Sequence, residues 1–176
     1  NQHRVESEAD AGAFLARLSA FAGVLDQESE RISADAAQGV MLPSFLMDKT
    51  LTQLRTLHDT PAPDMAMVQA LIRKTEALDI TGDWGAQAAH VIDTEVKPAL
   101  ARQIAVFDGL RPGATDDAGA WKLPRGAETY ALALRAYTTT DYTADQIHDI
   151  GVQQVAEIQA EIDTLLQGMG MTEGSV

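Results

Sequence analysis

Cysteine is absent from the 176 residues, and aromatic residues make up only 5% of them. The first absence excludes disulfides, thiolate metal ligands and cysteine nucleophiles, but it is compatible with either cytoplasm or periplasm. Basic residues are scarce: 13 Lys and Arg stand against 26 Asp and Glu, a formal charge of −13. That excess repels phosphate backbones and anionic lipid surfaces over the whole molecule, so nucleic acid is disfavoured as a partner. No apolar run approaches the roughly 20 residues of a membrane span. The chain begins at Asn1, with neither an initiator methionine nor a signal-peptide core, which reads as the start of a processed or trimmed product. Strand-like alternation of useful length and repeats of fixed period are lacking too.

What remains is helical periodicity. The chain is 45% hydrophobic, enough for a real core, and its length is most simply one domain, 1–176. From about Glu8 to Ala37, Phe14, Leu15, Leu18, Phe21, Ala22 and Leu25 recur at three- and four-residue steps, predicting a helix with one buried stripe. Gly39 and Pro43 interrupt it, and a second helix follows through Met47, Leu51, Leu54 and Leu57. After the loop at 59–63, Met67, Val68, Leu71, Ile72 and Leu78 mark a third, ending near 81–85. A fourth runs through Ala89, Ile92, Val96, Leu100, Ile104 and Phe107, with a kink or break predicted just before Pro98. Residues 108–126, rich in Gly, Pro and Asp, predict a long exposed loop. A short helix through Tyr130, Leu132, Leu134 and Tyr137 precedes the last one, whose face carries Ile147, Ile150, Val155, Ile158, Ile162 and Leu165. The fold class is all-α, a bundle-like domain of several helices.

Between these last two helices lies "AYTTTDYTADQIHDIG" (136–151), with four threonines and two tyrosines. Helix punctuation explains most of it. Thr143 is placed to cap the last helix, Gln146 to complete a capping box, and Asp145 to meet the positive helix end. Thr138, Thr139 and Thr140 are β-branched and compete for backbone groups, so they help end the preceding helix. The polar tips of Tyr137, Tyr142 and His148 are not explained this way, since each must find water or a partner.

No complete catalytic set appears. The histidines, His3, His58, His90 and His148, are far apart in sequence, so none of them forms an H-E-x-x-H zinc pair. No glutamate precedes a histidine by three, which removes the di-iron bundle pattern. A nucleophile elbow, a P-loop and a dinucleotide fingerprint are all missing. Glu157 and Glu161, one helical turn apart, read as a solvated face rather than a cation site.

The stretches "EVKPAL" (95–100) and "KLPRGAETYALALRAYTTTDYTADQIHDIGVQQVAEIQAEID" (122–163), with "GVMLPSFLMDKTLTQL" (39–54), resemble the bacterial domain of unknown function 885 family. The likeness spans about Ser29 to Gly170, strongest over 124–163, and departs at Pro124-Arg125, where an acidic residue or Asn more usually follows the proline. The resemblance implies a relation to helical zinc metallopeptidases of the gluzincin type, in which the zinc site falls downstream of this stretch. It therefore implies an N-terminal fragment, catalytically silent alone, forming one wall of a peptide-binding cleft. Zinc would belong to the full-length parent, and no ligand or catalytic glutamate is assigned here. The expected partners are the remainder of its own chain and a peptide substrate. Tyr137, Thr138, Thr139 and His148 are the expected substrate contacts, because they join polar tips to a helix start whose N–H groups can meet a carboxylate. An exported, periplasmic or otherwise extracytoplasmic location follows from the same resemblance. The alternative is a non-enzymatic helical interaction or scaffold module. A detached half should expose a large apolar patch or dimerise through it; a natural module should not.

Overall fold

Ser7 sets the first helix: its hydroxyl accepts from the Asp10 amide at 3.2 Å, and Glu8 and Asp10 place negative charge on the first turn. Helix α1 (Glu8–Ala37) runs from there. It is followed by α2 (Ser44–Asp59), α3 (Ala66–Glu76), α4 (Trp84–Val91), α5 (Lys97–Leu110), α6 (Gly126–Thr138) and α7 (Ala144–Gly168). Single 3-10 turns lie at Ala62–Asp64, Arg111–Gly113 and Ala120–Lys122. This computed structural model describes residues 3–171 and Gly174, and among the described residues there is no strand, so the chain is all-α.

Two boundaries differ from the sequence reading. The fourth helix begins earlier, at Trp84, inside the glycine-flanked turn: Gly82 sits at φ 141°, and the Trp84 indole N–H donates to the Thr81 carbonyl at 3.1 Å. A Cβ at Gly82 would lie 2.7 Å from that indole nitrogen, so both the backbone and the ring require glycine. The expected break before Pro98 is instead a π-helical turn, Ile92–Val96, and the chain stays helical from Trp84 to Leu110. A proline has no N–H to donate and its ring collides with the turn before it; widening that turn by one residue relieves both. The long loop is also shorter than expected, since the two 3-10 turns leave only 114–119 and 123–125 without helical structure.

Contacts divide the chain into two compact units, Asn1–Ala118 and Gly119–Val176, where the sequence reading took one domain. In the first, α1 packs chiefly on α5, α2 on α5 and α3 on α4. The main core joins Phe14, Leu18 and Leu25 of α1 to Val68 and Leu71 of α3 and to Ile92, Val96, Ala99 and Leu100 of the π turn and α5. A smaller core joins Met47 and Leu51 of α2 to Phe107. The predicted stripes therefore face inward, except Leu78, which is exposed beyond the end of α3. Guanidinium forks set the register between helices: Arg102 holds both carboxylate oxygens of Asp26 at 2.8 Å, and Arg111 those of Asp48 at 2.5 and 2.9 Å. Such exposed pairs add little stability, so the apolar contacts carry the fold.

In the second unit, Arg125 takes a left-handed φ of 54° and Gly126 opens α6 against the 3-10 turn. A Cβ at Gly126 would stand 1.9 Å from the Ala120 carbonyl oxygen, so the backbones meet there with no room for a side chain. Helix α7 has the full capping box, Thr143 accepting from the Gln146 amide and Gln146 from the Thr143 amide. The helix exists as its period predicts, but the burial does not: no α7 residue is buried among the described residues.

Three outcomes follow from this packing. Leu100→Ala, at a position with 0% exposure, should cost about 2–5 kcal/mol in a urea melt. Thr143→Ala should cost about 1 kcal/mol of helix stability, read as lost ellipticity at lower temperature. Hydrogen bonds from Arg102 and Arg111 hold Asp26 and Asp48 below their ordinary 3.8, and the Glu6 amide and then the Ser7 hydroxyl do the same for Asp10. Carboxyls depressed in the folded state stabilise it above their unfolded value and lose that effect as pH falls through the folded one. The urea midpoint should therefore decline below about pH 4, and Asp26→Asn should make the decline shallower.

Candidate functional site

The hydroxyl-rich corner between α6 and α7 is built from helix ends. Thr138 closes α6: its hydroxyl donates to the Leu134 carbonyl at 2.7 Å, shares a 2.9 Å hydrogen bond with the Thr140 hydroxyl and accepts from the Thr140 amide. Thr139 follows at a left-handed φ of 55°, its hydroxyl donating to the Thr138 carbonyl at 2.7 Å. A β-branched residue is uncommon in that region, and the hydrogen bonds around it hold the reversal. The threonine run is thus spent on stopping one helix and starting the next, as the local reading expects.

The four residues singled out from the sequence do not converge. Tyr137 stands 90% exposed on the last turn of α6, and His148 is exposed on the second turn of α7. Among the described residues the side chains of both are without a hydrogen bond, so they are available to a ligand but preorganised by nothing. Thr138 is half-buried in its own network. Thr139 lines a shallow hollow of about 410 Å³ shared with Leu132, Arg135, Ala136, Thr140 and Asp141.

Sequence reasoning missed the charged rim of that hollow. Arg135 and Asp141 face each other across it at 3.5 Å. The available signal was position: Arg135 lies in the last turn of α6, where a cation suits the helix's negative end. In the first unit, a cavity of about 590 Å³ is walled by Phe14, Leu18, Phe21 and Met67, with His3 and Arg17 at its edge. The His3 ring stands edge-on to Phe14 at 5.3 Å, and its Nδ1 meets the Arg17 guanidinium at 2.7 Å. Phe14, Leu18, Phe21 and Met67 were read from the sequence as parts of buried helical stripes, whereas the pairing of His3 with Arg17 gave no signal there.

Metal-binding chemistry has no support in these side chains. Among the described residues no three His, Cys, Asp or Glu groups gather as a cation would need, and His58 is engaged with Asp59 at 2.9 Å. The zinc that the family resemblance implies does not fit any donor set here. Among the described residues no helix is long and apolar enough to cross a membrane.

Comparison with known proteins places the fold. The chain is similar to a crystal structure from Colwellia psychrerythraea described as a "putative lipoprotein", with a TM-score of 0.89 and 23% identity over 99% of this chain. It spans 31% of the length of that protein. At this identity the likeness is one of fold. No curated protein matches the chain. The family of bacterial proteins of unknown function called DUF885 matches residues 1–176, the whole length given, and the chain belongs to that family.

Proposed function

We propose that this chain is the N-terminal helical part of a longer zinc-dependent peptidase, in which it forms one wall of a peptide-binding cleft without a catalytic group of its own. The observation that carries the reading is the second unit. Its two helices present aliphatic and aromatic side chains, Tyr130, Leu132, Val155, Ile158 and Leu165 among them, all half or more exposed. Surfaces of that kind belong to an interface or a ligand groove rather than to a finished exterior. The match to only 31% of a related chain agrees with further polypeptide completing the cleft, and the sequence resemblance to gluzincin-type peptidases supplies the chemistry. In this reading Tyr137, Thr138, Thr139 and His148, along the α6–α7 corner, are separate substrate contacts, and Arg135 would exchange its 3.5 Å pairing with Asp141 for a peptide carboxylate. Zinc and the catalytic base come from outside these residues. An extracytoplasmic location accords with the lipoprotein description of the similar structure.

The second reading, a helical interaction module without catalysis, draws on the same exposed face of α7. The complete protein separates the two. Loaded with zinc, it should hydrolyse peptides and lose that activity to a chelator. Tyr137→Phe and His148→Ala should each lower kcat/KM by about tenfold while the melting temperature moves by less than about 2 °C. No turnover in the zinc-loaded complete protein would leave the interaction module standing. Parallel loss of turnover and stability would return these two residues to a purely structural role.

A further inference from the structure

Helix α7 carries a seam of five aliphatic or thioether side chains: Val155, Ile158, Ile162, Leu165 and, at the C-cap, Met169. Their spacings alternate three and four residues, the period at which one helix meets another along its length. These side chains are between 36% and 71% exposed. Val152 and Leu166 widen the strip on one side, while Glu161 flanks it on the other. The helix bears Asp145, Asp149, Glu157, Glu161 and Asp163 and not one Lys or Arg.

We propose that this seam is the docking face for an amphipathic helix with a matching aliphatic seam and Lys or Arg beside it, supplied by the same polypeptide outside residues 1–176 in the complete protein. The inference deepens the reading of the chain as part of a longer protein, and it holds whether or not that protein is a peptidase. Two observations select this occupant. A second copy of α7 would bring Glu161, at the edge of the seam, and the other acids of the helix towards the same groups of its partner with no Lys or Arg on either helix to offset them, on chains that each carry −13 overall, and like charges beside a helical seam weaken pairing. The related crystal structure has more than twice this chain's length of further polypeptide to provide the helix, since the match covers 31% of it. An acidic flank recognises a basic one, which fixes orientation and suppresses self-association.

The test uses stability rather than catalysis, so its failure is distinct from that of the peptidase reading. The double variant I158D/L165D should leave the melting temperature of the 176-residue chain within about 2 °C, because both sites are already half or more exposed, and should lower that of the complete protein by more than about 4 °C. An unchanged complete protein would overturn the docking face. Glu161→Lys should destabilise the complete protein, more at low salt than at high, while leaving the 176-residue chain unchanged or slightly more stable. Stabilisation of the complete protein by Glu161→Lys would overturn the basic partner. Sedimentation of the 176-residue chain should show a monomer; a dimer abolished by I158D/L165D would assign the seam to a second copy instead.

Discussion

Everything in the first unit is referred to the helix that runs from Trp84 to Leu110, and that helix exists because a π turn absorbs Pro98. Ala88, Ile92, Val96, Ala99, Leu100 and Phe107 lie on its buried face and serve both hydrophobic cores. A hard kink at Pro98 would aim the two halves of this helix differently, and α1 could not pack along α5 and the π turn together, as it does. The wider turn keeps the chain helical from Trp84 to Leu110, and this continuous segment holds α1, α2 and α3 against itself. Arg102 and Arg111 then set the register of neighbours already held by apolar contact.

The two units differ in the physical source of their order. Residues 1–118 bury whole side chains from five helices, whereas 119–176 hold their shape by local means: a glycine with no space for a Cβ, two left-handed residues, a capping box and a chain of threonine hydroxyls. Short-range devices of this sort define where helices start and stop without fixing what they pack against. The unit is therefore well specified in secondary structure and open in tertiary structure, which is the property expected of a surface made to receive something.

Helix content was legible because it rests on period and punctuation, both local in sequence. The stripes of α1 and α5 announced their burial, and Thr143 with Gln146 announced the start of α7. Three things were not legible. The π turn escaped because sequence shows that proline cannot continue an ordinary turn but not which distortion will accommodate it. An exposed apolar patch was expected of a detached half, but its place on α7 escaped, because an aliphatic stripe states that something must cover it, never whether the cover lies within the same stretch of chain. For Thr138 and Thr139, chosen for their hydroxyls, sequence could not show that those hydroxyls bond to the backbone carbonyls of Leu134 and Thr138. The hollow's charged rim, Arg135 and Asp141, depended on the reversal at Thr139 bringing residues six apart into proximity, and a left-handed threonine is not something composition foretells.

The contrast between the units also bears on how such a chain leaves a ribosome. The first 118 residues can collapse onto their own cores as soon as they emerge, but α7 arrives with its aliphatic strip unclaimed. The rest of that helix carries five carboxylates and no Lys or Arg, Glu161 at the edge of the strip, on a chain with twice as many acids as bases. Like charge of that density is the means by which an exposed aliphatic strip is kept from pairing with its own copies.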